Sequence, residues 1–215
     1  MIKISPSILS ADILILEEEV RSLDLNGADY IHIDIMDGHY VPNITFGPNI
    51  VKSLRKVTSK ILDVHLMIKP VKQYINEFIE AGSDIITFHP EADDNPEEII
   101  KIICNAKIKA GIAIHPKVNI SDIDHLFNQV QQIIVMTVTP GFGGQKFMYD
   151  QVQKIKDLDE IRKNNNYKYE IAVDGGVNNE NAKICKDNGA DVLAVGSYLL
   201  SQNQNNYYEI INSLR

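Results

Sequence analysis

Tryptophan is missing from this 215-residue chain, and cysteine occurs only at Cys104 and Cys185, both in segments expected to be helical. Two isolated thiols make no disulfide framework. Reduced, structural cysteines in a cytoplasmic protein are therefore expected. No apolar run approaches the ~20 residues that cross a bilayer, and Met1-Ile2-Lys3-Ile4-Ser5-Pro6 carries no signal-like apolar stretch. No membrane partner is expected. Basic residues are also scarce, 21 Lys and Arg against 29 Asp and Glu, for a net charge of −8. No basic cluster appears, and nucleic-acid binders concentrate one, so that class is set aside. What remains is 44% apolar and 23% charged residues without low-complexity linkers, enough for one core and one domain over residues 1–215.

Short β-branched runs alternate with longer segments of helical spacing. Strands are expected near Lys3–Leu9, Tyr30–Ile35, Ile61–Met67, Ile85–His89, Ala110–Ile114, Gln132–Val138, Tyr169–Asp174 and Val192–Gly196. Helices are expected near Ile13–Asn26, Pro48–Thr58, Val71–Glu80, Pro96–Lys107, Ser121–Asn128, Tyr149–Asn164, Asn179–Asn188 and Asn203–Ser213. Asp12 is placed to cap the first, and Gly27, Gly82 and Gly189 fall just past three helix ends. Eight strand-then-helix units in so short a chain describe a minimal α/β structure, a single (β/α)8 TIM barrel.

Strand side chains alternate faces. Ile31, Ile33 and Ile35 share one face and leave His32, Asp34 and Met36 on the other. Leu62, Val64 and Leu66 likewise leave Asp63, His65 and Met67, and Ile171 and Val173 leave Ala172 and Asp174. Polar residues thus line the inward face of three strands near their C-terminal ends, where charge is costly unless paired or bound to metal. His32, Asp34, His65 and Asp174 form one candidate metal site, of a donor type that suits Zn²⁺, Fe²⁺, Mn²⁺ or Co²⁺ better than Ca²⁺ or Mg²⁺. A His-x-Asp on a strand also fits a hydrogen-bonded core pair, and spacing alone does not choose. Glycine-rich ends follow three successive strands: Gly141-Phe142-Gly143-Gly144, Gly175-Gly176 and Gly196-Ser197. Such ends bring backbone N–H groups close to a ligand, and this fold cradles phosphate there.

The stretches Ser5–Asp12, His32-Ile33-Asp34-Ile35-Met36-Asp37-Gly38-His39-Tyr40-Val41-Pro42-Asn43, Asp63–Met67, Pro140-Gly141-Phe142-Gly143-Gly144-Gln145 and Val173–Val177 resemble ribulose-phosphate 3-epimerases, and the likeness runs from the first strand to the last. The resemblance implies reversible interconversion of D-ribulose 5-phosphate and D-xylulose 5-phosphate in the pentose phosphate route, in a homo-oligomer holding one divalent metal ion per subunit. It assigns the metal to His32, Asp34, His65 and Asp174, a substrate hydroxyl contact to Ser7, and a substrate contact to His65 as well. Methionines Met36, Met67 and Met136 are to surround the reacting carbons, and the three glycine loops are to hold the phosphate. Inverting a carbon needs proton transfer on both faces, so Asp34 and Asp174 are the expected acid and base.

His125 is expected on a helix surface, His115 at a variable strand end, and His89 in a structural hydrogen bond. Asp37 and His39 suggest loop anchoring or support of the ligands. Thr139 and Tyr198 depart from the usual pattern at the rim, which bears on substrate preference rather than reaction type. The alternatives are an epimerase for a related ketose phosphate, such as D-allulose 6-phosphate, and an inactive phosphate-binding barrel. A Schiff-base aldolase is set aside, because no inward lysine is apparent.

Overall fold

Eight parallel strands lie in the order β1-β8-β7-β6-β5-β4-β3-β2 in a computed structural model that describes residues 2–215. Met1, which begins the stretch read for an export signal, lies outside the described residues. The strands are β1 (Lys3–Pro6), β2 (Tyr30–Met36), β3 (Ile61–Met67), β4 (Ile85–Phe88), β5 (Lys109–Ile114), β6 (Gln132–Met136), β7 (Glu170–Asp174) and β8 (Val192–Val195). All seven ladders are parallel. The first and last members of that order, β1 and β2, meet at a single bridge between Ser7 and His32, which brings the sheet round into the expected barrel.

The seam at that bridge is thin. β1 stops at Pro6, short of the expected Leu9, because Ser7 turns the chain into a 3-10 turn and accepts from the Leu9 amide. Beyond the bridge, the edge of β2 is covered by Thr45. Its hydroxyl donates to the Asp34 carbonyl at 2.6 Å and accepts from the Met36 amide at 3.0 Å.

Around the sheet run α1 (Leu16–Leu25), α2 (Pro48–Leu54), α3 (Ile75–Glu80), α4 (Pro96–Asn105), α5 (Val152–Asn165), α6 (Asn179–Asp187), α7 (Ser197–Leu200) and α8 (Tyr207–Ser213). Asp12 caps a 3-10 turn that leads into α1, by accepting from the Leu14 amide. Gly27, Gly82 and Gly189 follow α1, α3 and α6 at φ of 96°, 95° and 106°.

The expected helix over Ser121–Asn128 is instead two 3-10 turns, Ile120–Asp122 and Asp124–Leu126, broken at Ile123 with φ −132°. Asp122 is engaged by the Asn119 amide, and Ile123, Leu126 and Phe127 are the buried side chains of the segment. His125 lies there on the surface, as expected, but not in an α-helix. The short helix α7 was not anticipated.

The outward isoleucines of β2 and the apolar face of β3 join one large core with the helices, while Tyr30, Ile85, Ala113, Ile134, Met136, Ala172 and Val192 fill the barrel interior. Each fully buried aliphatic side chain contributes about 1.5–3 kcal/mol, so this inner and outer packing dominates stability. The N-terminal mouth is closed by polar groups. Lys3 donates to the Tyr30 hydroxyl at 2.9 Å and pairs with Glu170, and Tyr30 donates to Glu170 at 2.9 Å. Lys3 is an inward lysine that the sequence pattern did not reveal, and it stands at the pole away from Asp34.

Candidate metal and substrate site

At the C-terminal pole, the period-two alternation of β2 aims His32 and Asp34 to the same side as Tyr30, and β3 sets His65 directly beside Asp34 in register. β7 brings Asp174 next to Met136 on β6 and Ala194 on β8. One donor atom from each of His32, Asp34, His65 and Asp174 lies within 4.8 Å of the others, in a group whose first three members are fully buried.

His32 Nε2 is 3.4 Å from Asp34 Oδ1 and 3.7 Å from Asp174 Oδ2, and His65 Nδ1 is 3.4 and 3.5 Å from the same two atoms. Neither nitrogen has a hydrogen-bond partner, although both are buried. Two orphaned imidazole nitrogens facing two carboxylates form a donor set that fits a divalent transition metal. The core-pair reading of His32 and Asp34 loses ground here, because the hydrogen bond of His32 goes to Asp63 instead.

Each imidazole is held from behind. His32 Nδ1 is 2.9 Å from Asp63 Oδ2, which also accepts from Gln132 Nε2 at 3.3 Å, and His65 Nε2 is 3.1 Å from His89 Nε2. The structural hydrogen bond expected of His89 is present, and its partner is a site residue. Asp63 and Gln132 were not singled out in the sequence; the inward parity of Asp63 beside His65 was the available signal. Asp34 Oδ2 accepts from the Ser7 hydroxyl at 2.6 Å. Asp37 anchors its loop by accepting from the amides of His39, Tyr40 and Lys69, whereas the His39 side chain is exposed and supports none of the four.

Burial pushes both aspartates toward higher pKa, and for Asp174 the nearby Asp34 charge adds to it. The two histidines outweigh these effects and leave both carboxyls below the ordinary value. Burial likewise opposes a proton on His32 and His65, yet the surrounding aspartates raise both above the ordinary 6.5. His89 faces the opposite balance, and burial lowers it to about 4.

A cleft opens above this group. Its floor is Ser7, Asp34 and Asp174, and its walls are Met36, Met67 and Met136. Met36 and Met67 pack with Val41, so the walls are apolar. The rim is formed by Gly141, Phe142, Gly143, Gly144, Gly175, Gly176, Gly196 and Ser197. All the predicted substrate-contact residues therefore line one cleft except His65, which lies beneath it. Gly176 has φ 66°, and a Cβ there would meet the Phe147 amide nitrogen at 2.7 Å and the Gln145 carbonyl at 2.8 Å. No other residue fits. Gln145 folds back to donate to the carbonyls of Thr139 and Phe142, and Asn43 donates to the Gly141 carbonyl at 2.7 Å, tying the β2 and β6 loops together. Ser10 also lines the cleft and was missed; it stands against both Gly143 and Gly196.

Solved structures share the architecture. A 3-keto-L-gulonate-6-phosphate decarboxylase from Vibrio cholerae superposes with a TM-score of 0.74 at 14% identity, over 100% of this chain and 95% of the other. A mutant tryptophan synthase alpha-subunit from the hyperthermophile Pyrococcus furiosus gives 0.71 at 14% identity, over 99% and 95%. At such identities they speak to fold alone. Sequence comparison reaches further. The ribulose-phosphate 3-epimerase of Bacillus subtilis (strain 168) is 45% identical over 203 residues, 94% of each chain, and that of Escherichia coli (strain K12) is 39% identical over 214 residues, 99% of this chain and 94% of the other. A family model matches residues 3–200. With eight strands, a four-residue donor group and a glycine rim arranged around one cleft, the chain belongs to the ribulose-phosphate 3-epimerase family.

Proposed function

We propose that this protein interconverts D-ribulose 5-phosphate and D-xylulose 5-phosphate by moving the proton at C3. The observation that carries this reading is the convergence of two carboxylates and two orphaned imidazole nitrogens beneath a cleft with a glycine rim.

His32, Asp34, His65 and Asp174 would hold one divalent ion, of the Zn²⁺, Fe²⁺, Mn²⁺ or Co²⁺ type. Bound there, such an ion supplies Lewis-acid charge that stabilises an enediolate. The chain's own groups do the rest. One of Asp34 and Asp174 removes the C3 proton and keeps it, and the other, protonated, delivers a different proton to the opposite face, with roles reversed in the other direction. Ser7 donates to Asp34 and so fixes the carboxylate's orientation, and its oxygen remains available to a substrate hydroxyl. Met36, Met67 and Met136 keep water from a carbanion-like carbon. The Gly141–Gly144, Gly175–Gly176 and Gly196–Ser197 segments present backbone N–H groups to the phosphate, which lets an acidic protein bind an anion without a lysine or arginine.

The reading extends to a cytoplasmic homo-oligomer with no nucleic-acid or membrane partner. In its favour are the exposed apolar side chains Ile13 and Leu14, 63% and 92% accessible, and the absence among the described residues of a helix long and apolar enough to cross a membrane. A related ketose phosphate such as D-allulose 6-phosphate is the second substrate to assay, because Thr139 and Tyr198 depart from the usual pattern near the rim.

The test is conversion of D-ribulose 5-phosphate in D2O after chelation and add-back of each metal. Turnover that returns with metal and places deuterium at C3 is the expected result. A folded, metal-loaded protein that turns over neither ketose phosphate would sink the proposal.

A further inference from the structure

The two imidazoles facing the cleft are held differently from behind. Behind His32 stands a carboxylate, Asp63, the usual partner of a metal-binding histidine. Behind His65 stands another imidazole, which can donate or accept. His65 Nε2 and His89 Nε2 are 3.1 Å apart, so one must carry the hydrogen and the other the lone pair. The choice matters. If His65 is protonated on Nε2, its Nδ1 lone pair faces the donor group. If His89 donates instead, His65 carries its proton on Nδ1 and cannot bind a cation.

What lies behind His89 decides between the two. His89 is fully buried, and its Nδ1 faces Glu91 Oε1 at 3.5 Å, about half an ångström beyond a normal hydrogen bond. The Tyr40 hydroxyl donates to the same oxygen at 2.8 Å, and the Tyr40 ring lies over His89 with centroids 4.7 Å apart. A carboxylate only accepts, so it draws the His89 hydrogen to Nδ1 and leaves Nε2 as the acceptor for His65.

We propose that Tyr40, Glu91 and His89 are positioning residues: the Glu91 carboxylate, held by the Tyr40 hydroxyl, faces His89 Nδ1 across 3.5 Å without a hydrogen bond, and its charge sets the tautomer of His89 and so of His65, and thereby the affinity of His65 for a divalent cation. The inference rests on the metal reading above and adds three residues that touch neither the cation nor the substrate.

The test is Co²⁺ affinity of the metal-free protein, by competition with a chromophoric chelator, together with the visible spectrum of the bound Co²⁺. His89→Phe keeps a ring but no acceptor, and it should weaken binding roughly ten- to a hundredfold. His89→Gln restores an acceptor oxygen at the position of Nε2, and it should recover to within about threefold of the unsubstituted protein. Glu91→Gln presents an amide that can donate to His89 and favour the wrong tautomer; it should weaken binding roughly three- to tenfold and alter the Co²⁺ spectrum. Tyr40→Phe should show the smallest loss. A purely structural role would lower the melting temperature of the metal-free protein and leave the affinity alone. Affinities within about twofold for His89→Phe and Glu91→Gln would overturn the proposal. If His89→Phe does not fold, the partly exposed Glu91→Gln decides by the same criterion. No Co²⁺ binding by the unsubstituted protein would overturn the metal reading itself, a result distinct from equal binding by every variant.

Discussion

The two ends of this barrel are built from the same strand faces and reach opposite outcomes. At the N-terminal mouth, Lys3, Tyr30 and Glu170 complete one another, and every charge has its partner inside the chain. Two residues further along the same face of β2 from Tyr30, and on β3, the imidazoles of His32 and His65 each leave a buried nitrogen without one. An unsatisfied buried polar group costs about 1–3 kcal/mol, so the C-terminal pole is the less stable end as an isolated protein. The difference teaches where to look for chemistry: the satisfied end closes on itself, and the unsatisfied end gathers the four donors that could hold a metal ion.

Three substitutions or conditions sharpen that contrast. The largest effect is expected from Asp174→Asn, which keeps shape and removes the proposed proton carrier. Turnover should fall by at least about 10²–10⁴-fold, while inorganic phosphate still protects the protein against heat. Retention of more than a tenth of the turnover would remove Asp174 from its assigned role.

The next effect is on pH dependence. His32 and His65 titrate above 6.5 in the metal-free protein: burial lowers both, and the neighbouring aspartates more than offset it. A raised folded-state pKa gives stability that is fully present below 6.5 and is lost as pH rises through the folded value. The metal-free protein should therefore weaken above that point, while a bound ion displaces those protons and suffers no such loss. The gap between metal-loaded and metal-free melting temperatures should widen from about pH 6 to about pH 9. A constant gap across the range would mean that the two histidines give up no protons on loading.

The smallest effect belongs to the other mouth. Glu170→Gln weakens a partly solvated ion pair worth at most about 1 kcal/mol. The melting temperature should drop by only a few degrees, with kcat/KM unchanged. A tenfold loss of kcat/KM would show that the poles are coupled and the contrast too sharply drawn.

Much of the catalytic pole was legible in the sequence because it depends on local alternation. β3 spans Ile61–Met67 as expected, and the parity of β2, β3 and β7 delivers the four donors to one place. Where the pattern failed, the deciding contact lay far along the chain or the period changed. His89 meets His65 across 24 positions and Gln132 meets Asp63 across 69, distances that no local periodicity encodes. The segment Ser121–Asn128 read as a helix, yet it forms two 3-10 turns that break at Ile123. Lys3 looked like a surface residue until the barrel closed over it from β7.

The thin join between β1 and β2 has a consequence for how the molecule breathes. One backbone bridge, the Ser7–Asp34 side-chain hydrogen bond and the bonds between Ile4 and Asp29 cross that join, whereas β2 and β3 are paired along seven positions. Slow opening of the native state is therefore easiest there, and the Met36 amide, held by a side chain, should exchange with deuterated solvent faster than the amides inside the β2–β3 ladder. The same join separates His32 and Asp34 from Asp174. An ion gripped by both sides would act as a stitch across it, slowing that exchange and shielding the loop around Thr45 from proteases.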